Sequence, residues 1–190
     1  LVQPINQRFL KSLDWEGEEI IDKFPLTGIY GGTFDPIHYG HLRIAEELLD
    51  NAGLKRILFI PSGAPRLRAA PAASRGHRSA MVRLAIQDNA RFSLDEREVN
   101  RPGISTTIQS LREFRCELGD HTALCFILGI DAFAKIDHWV EWQELFALCH
   151  IILVVRPGYV PISKNKALSP EIQKEFSSRS VTYASDLGLQ

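Results

Sequence analysis

Gly31-Gly32-Thr33-Phe34-Asp35-Pro36-Ile37-His38-Tyr39-Gly40-His41-Leu42 joins a glycine turn to two histidines three residues apart, and its flanks decide the fold. Upstream, Leu26-Thr27-Gly28-Ile29-Tyr30 reads as a short buried strand. Downstream, Leu42-Arg43-Ile44-Ala45-Glu46-Glu47-Leu48-Leu49 has the apolar spacing of a helix. The stretch between them is a strand-to-helix turn. Proline fixes its own φ and restricts the residue before it, so Asp35-Pro36 halts the strand and sets that turn.

Working outward, the same alternation repeats. Further strands read at Arg56–Ile60, Phe92–Asp95, Leu124–Leu128 and Ile151–Val155, with helical stretches at residues 40–51, 75–89, 105–118 and roughly 138–148. Apolar strands without polar alternation, separated by amphipathic helices, predict a parallel sheet covered on both faces. The expected class is α/β: a doubly wound, Rossmann-like parallel sheet of about five strands. Residues 26–190 form this domain. Residues 1–25 read as an extension with a weak helical pattern in Phe9-Leu10-Lys11-Ser12-Leu13, to which we assign no chemistry.

Composition narrows the partners. A chain of 190 residues, 45% of them hydrophobic, can bury one good core. Its 22 basic residues are matched by 23 acidic ones, so it lacks the footprint of a nucleic-acid binder and favours a small charged ligand. The charged N-terminal region is no signal peptide, and no apolar run approaches the 18 or so residues of a membrane span. Cys116, Cys125 and Cys149 are odd in number, without C-x-x-C spacing, and read as reduced core thiols of a cytoplasmic protein. A first residue of Leu points to a natural start upstream or to processing.

In a doubly wound sheet, ligands sit beyond the carboxyl ends of the strands, where the strand order reverses. The glycine–histidine stretch, the Pro61-Ser62-Gly63-Ala64-Pro65 loop and the Gly129-Ile130-Asp131 turn all belong to that edge. The first N–H groups of a helix lack intrahelical partners and the macrodipole is positive there, so the turn favours an anion. Gly31 and Gly32 let a backbone approach phosphates without a Cβ between, and Gly40 removes bulk beside the ligand. His38 and His41 project from the same side of the first turn. Neither G-x-x-x-x-G-K-[ST] nor G-x-G-x-x-G is present, which weakens the usual kinase and dehydrogenase readings. What remains is an H-x-G-H pair fit for a nucleoside triphosphate. The loop from Pro61 to Ser74 is long enough for a mobile cover, or is a plain connection.

Gly31 to Leu42 resembles the signature of the H-x-G-H nucleotidyltransferases, and within them of the bacterial nicotinate-nucleotide adenylyltransferases. The resemblance extends over roughly residues 28–185: His77-Arg78 before Met81-Val82-Arg83-Leu84-Ala85, Phe126 to Phe133, Trp139-Val140-Glu141-Trp142, and Arg156-Pro157-Gly158-Tyr159. It implies adenylyl transfer from ATP to nicotinate mononucleotide, giving nicotinate adenine dinucleotide and pyrophosphate. The acceptor's own phosphate oxygen attacks the α-phosphate, so the protein's task is alignment and charge stabilisation. His38 and His41 are then the catalytic donors, assisted by Gly31, Gly32 and Gly40 and by the backbone of Thr33 and Phe34. Mg²⁺ is expected through the ATP phosphates, without a dedicated protein site.

Gly129 and Asp131 are expected at the adenosine half, Asp131 accepting from ribose hydroxyls or simply capping a helix. The resemblance sets Trp139 against the pyridine ring, whereas by residue type alone Trp139 or Trp142 reads as core. Ser105-Thr106-Thr107 resembles the family's Ser-Tyr-Thr segment, with Thr106 for tyrosine. Thr107 and its backbone then meet the nicotinate carboxylate, and Ser105 is a substrate residue or a plain N-cap.

Two departures stand out. Arg66-Leu67-Arg68 carries Leu67 where the family has histidine in the cover loop, although Arg68 can still reach a phosphate. The family's Ile-Ser-x-Thr-x-x-Arg segment is expected about where the chain reaches Gly188-Leu189-Gln190, so truncation or impaired activity is expected. The alternatives are a relative using CTP or phosphopantetheine, or a nucleotide-binding protein without catalysis.

Overall fold

In the computed structural model, residues 2–3, 26–64, 70–119, 122–154 and 168–179 are described. Strands β1 (Val2–Gln3), β2 (Thr27–Gly32), β3 (Arg56–Pro61), β4 (Phe92–Leu94), β5 (Leu124–Gly129) and β6 (His150–Val154) make one sheet in the order β1-β6-β5-β2-β3-β4. The five strands from β2 to β6 run parallel, as the apolar runs predict. The reversal of order falls between β2 and β5, the neighbours whose chain continues outward in opposite directions. Val2–Gln3 pairs antiparallel with β6, so part of the stretch read as an extension belongs to the sheet. The helical pattern in Phe9–Leu13 lies outside the described residues.

Strands β2, β3, β5 and β6 each serve two cores and so do not alternate apolar with polar, whereas β4, with Ser93 exposed between Phe92 and Leu94, packs on one side only. Ile29, Ile60, Leu124, Phe126, Leu128 and Leu153 face one side; Tyr30, Ile57, Phe59, Cys125, Ile127 and Ile152 face the other. Helix α1 (Tyr39–Asn51) and helix α2 (Arg75–Ile86) cover the second side, through Ala45, Leu48 and Leu49 and through Val82 and Ile86. After the short α3 (Arg97–Asn100), helix α4 (Thr107–Leu118) covers the first side through Ile108, Leu111 and Phe114. Two further short helices, α5 (Ile130–Phe133) and α6 (Leu145–Leu148), and the later α7 (Pro170–Arg179) complete it.

Three expected boundaries move. The helix expected over 75–89 ends at Ile86. The one expected from residue 105 starts at Thr107, because Thr106 is extended (φ −122°, ψ 146°) and forms the N-cap. The helix expected over 138–148 is not continuous: 3-10 turns at Ile136–His138 and Trp142–Glu144 flank an extended Trp139 and a left-handed Glu141 (φ 51°). Neither residue has helical backbone angles, and Arg112 of α4 holds Glu141 by its carboxylate.

Candidate functional site

Gly32 and Gly129 lie at the carboxyl ends of adjacent strands, two residues beyond the paired Tyr30 and Ile127. From Gly32 the chain turns through Thr33 and Phe34, which is buried in a left-handed conformation (φ 49°), and through a cis Asp35–Pro36 bond. His38 is the N-cap of α1, and His41 is its third residue. Their rings stack with centroids 3.8 Å apart, and Phe34 meets the His41 ring edge-on at 5.1 Å. The His38 backbone N–H donates to His41 Nδ1 at 3.3 Å. In the neutral ring this sets the proton on Nε2, making that atom a hydrogen-bond donor.

The glycines answer to the protein's own rings. A Cβ at Gly32 would sit 2.9 Å from the Phe34 ring, one at Gly31 3.3 Å from Phe126, and one at Gly40 3.1 Å from the His38 imidazole. These positions therefore also leave room for the aromatic side chains that shape the turn.

Below the turn lies a residue that we did not place in the site from sequence. Arg78 of α2 is 1% exposed, and its guanidinium donates to Thr33 O (2.6 Å), Ser62 O (2.7 Å) and Gly63 O (3.1 Å). It ties the turn after β2 to the loop after β3. Burial pushes its pKa below the ordinary arginine value, opposed by the nearby Asp35 charge. Its signal was in the sequence: Arg78, Val82 and Ile86 share one helical face at i, i+4 and i+8, so an arginine stands in a buried stripe. Asp35 fastens the far end of the 61–74 loop, accepting from Ala72 N (2.6 Å) and Ala73 N (3.1 Å).

The loop after β3 leads to the second group of expected residues. Gly63 lies so close to α3 that a Cβ there would be 2.3 Å from Glu98 O and 3.6 Å from Ser105 Cβ. The Glu98 carboxylate accepts from Ser110 Oγ (2.9 Å). Burial pushes its pKa up, against the Ser110 hydrogen bond, the Arg101 charge and the Gly63 N–H. Arg101 donates to Ser105 Oγ, to Ser110 Oγ at 3.3 Å and to Glu113 Oε2 at 2.6 Å. The N-cap of α4 is Thr106, not Ser105, and Thr107 opens the helix.

On the other side of β2, Gly129 caps α5, and Asp131 is the second residue of that helix with its carboxylate folded over Gly129. Asp131 is therefore not the cap. Trp139 packs edge-on to Phe126 of β5 at 6.2 Å, while Trp142 is the buried one, packed on Phe146. Arg68, Leu67 and the Arg156–Tyr159 segment lie outside the described residues. Of the cysteines, Cys125 and Cys149 are buried, but Cys116 is exposed on α4, where a core thiol was expected.

The site thus gathers a donor pair at a helix N-terminus, a carboxylate across the switch point and a polar segment beside Gly63. Comparison with known proteins bears on the family and the fold. Residues 29–181 match the family model described as cytidylyltransferase-like. A Chromobacterium violaceum protein named "probable nicotinate-nucleotide adenylyltransferase" is 42% identical over 157 residues, 82% of this chain and 72% of that one. A protein of the same name from Serratia proteamaculans is 40% identical, over 89% of this chain and 75% of its own. Among solved structures, Plasmodium falciparum nicotinic acid mononucleotide adenylyltransferase, complexed with NaAD, superposes with a TM-score of 0.63. It covers 76% of this chain and 71% of its own, and at 22% identity it speaks for the fold alone.

Proposed function

We infer the chemistry of this chain from its family: it belongs to the cytidylyltransferase-like family and, within it, to the nicotinate-nucleotide adenylyltransferases. It transfers the adenylyl group of ATP to nicotinate mononucleotide, releasing pyrophosphate, in NAD biosynthesis. The carrying observation is 40–42% identity over more than two thirds of relatives that bear this name, in a chain that retains the paired histidines.

In our reading the triphosphate lies over the N-terminus of α1. The acceptor's phosphate oxygen attacks the α-phosphorus, the bond to the bridging oxygen breaks, and pyrophosphate leaves. No protein nucleophile takes part. His41 donates from Nε2, and His38, stacked on it, donates beside it to the charge that develops on the phosphates. The dipole of α1 acts in the same direction. Asp131 accepts from the ribose, Trp139 stacks on the pyridine ring, and Ser105 with Thr107 meets the nicotinate carboxylate.

Mg²⁺ enters in this reading as part of the ATP substrate. Among the described residues, no group of three or more His, Cys, Asp or Glu is arranged to hold a metal ion, and both Asp35 oxygens are engaged by backbone N–H groups. Nucleotidyltransferases of the family generally use the ion, which would neutralise charge on the triphosphate. No described helix is long and apolar enough to cross a membrane. With all three cysteines unpaired, we assign the enzyme to the cytoplasm.

The test is pyrophosphate release with ATP or CTP as donor, against nicotinate mononucleotide, nicotinamide mononucleotide and phosphopantetheine as acceptors. ATP with nicotinate mononucleotide is expected to be the productive pair. Release only with phosphopantetheine, or only with CTP, overturns the reading.

A further inference from the structure

Three rings meet the His41 imidazole: His38, stacked at 3.8 Å, and Phe34 and Tyr30, edge-on at 5.1 and 6.0 Å. Of these, Phe34 has the unusual backbone. Its φ of 49° is left-handed, a conformation that a non-glycine residue rarely adopts and keeps only where its surroundings over-determine it. Its ring is 2% exposed and fills the space above Gly32, so packing fixes the side chain. Arg78 fixes the backbone. Its Nη1 donates at 2.6 Å to Thr33 O, the carbonyl of the peptide unit that carries the Phe34 N–H. Because that unit is planar, a bond to its oxygen holds the plane about which Phe34 turns. Nη2 of the same guanidinium donates to Ser62 O and Gly63 O, so the plane is tied to the loop after β3. Among the described residues, no carboxylate accepts from Arg78, and its Nε has no acceptor. A buried cation with no ion pair and an idle donor is a poor choice for stability alone, and all three of its bonds go to main chain at the carboxyl edge of the sheet.

We propose that Arg78 is a positioning residue for His41: it fixes the Thr33–Phe34 peptide, the peptide fixes the Phe34 ring, and the ring holds the imidazole. That this imidazole acts on phosphates rests on the function proposed above, whereas the order of contacts is read from the structure alone. Arginine suits the task because its planar fork spans carbonyls of two segments at once. Lysine keeps the charge but is a point donor on a flexible stem.

The test is a double-mutant cycle between Arg78 and His41, read in kcat for pyrophosphate release with ATP and nicotinate mononucleotide both saturating. Alone, Arg78→Met is expected to lower kcat about tenfold or more, and Arg78→Lys to keep part of what methionine loses; in a His41→Ala background either substitution is expected to change kcat by less than about twofold, because the group it positions is gone. Additive losses overturn the proposal, as does a wild-type kcat in a folded Arg78 variant. Should Arg78→Met fail to fold, the lysine variant carries the cycle; loss of the fold in both would make Arg78 a supporting residue only and also overturn it. A second readout needs no turnover. In the ligand-free protein at about pH 8, where an ordinary imidazole is neutral, the nitrogen NMR signals of His41 should report one Nε2–H tautomer in wild type and a shift toward a mixture in Arg78→Lys. Identical His41 signals in the two proteins overturn the proposal. Wild-type protein that does not turn over ATP with nicotinate mononucleotide fails at the proposed function instead, and the imidazole signals then still decide whether Arg78 orders His41.

Discussion

His41 and Arg78 meet the same turn, and on the proposed reading their substitution separates chemistry from support. His41 holds a backbone N–H on Nδ1 and so offers a donor from Nε2. His41→Ala is expected to cost roughly 2.7–4 kcal/mol of transition-state stabilisation, about a hundredfold or more in kcat, by analogy with loss of an oxyanion-hole donor. Steady-state pyrophosphate release checks this, and turnover equal to wild type would remove His41 from the machinery. Arg78→Met instead strands three backbone carbonyls and should lower stability by about 3 kcal/mol or more, read by urea unfolding. The place of the histidines at the start of α1 was legible in the sequence because a glycine turn and proline precede them and an apolar helical pattern follows. Arg78 was not, because arginine is usually a surface residue and only its place in an apolar stripe marks it as buried.

Between elements, the tightest contact at this edge joins the loop after β3 to α3, where Gly63 has no room for a side chain. A methyl group 2.3 Å from Glu98 O forces the loop or α3 to move. Gly63→Ala should therefore cost about 1–3 kcal/mol as an overpacking change. Because Ser105 lies against the same glycine, KM for the mononucleotide should rise while KM for ATP holds, which initial-rate kinetics with each substrate varied will resolve. Strands were the legible elements here, since apolar runs bounded by turns leave little choice of state. The 138–148 stretch was misread because its apolar and tryptophan content fits a buried helix. Where it breaks, at the left-handed Glu141, Arg112, distant in sequence, holds Glu141 and Glu144 by their carboxylates. Ion pairs across 29 and 32 positions leave no trace in a local pattern.

At the scale of the whole sheet, the alternation of strand and helix carried the class, whereas the antiparallel Val2–Gln3 strand was invisible because two residues have no period. Cys125, in β5, and Cys149, just before β6, are buried in the two cores, where burial pushes both thiols up to about 12. Native protein should therefore expose one reactive thiol, Cys116, to a thiol reagent at neutral pH, and all three after denaturation. His150, at the start of β6, supplies a pH dependence. Its pKa is lowered by burial first and by the Arg115 charge second. A depressed folded value contributes stability that is present above the unfolded value near 6.5 and lost as pH falls through the folded one, because the unfolded chain takes up the proton first. Glu98 has the opposite sign: its raised value contributes stability below about 4.5 that is lost as pH rises through its folded value. The two contributions therefore change with pH in opposite directions, and the wild-type profile alone cannot isolate either. In His150→Gln the proton uptake disappears while that of Glu98 remains. The difference between wild type and variant in urea unfolding should change with pH only below about 6.5, by at most about 1.4 kcal/mol per pH unit, with wild type losing ground as pH falls. A difference that stays constant from pH 8 to pH 5 would mean that His150 titrates alike in the folded and unfolded chain.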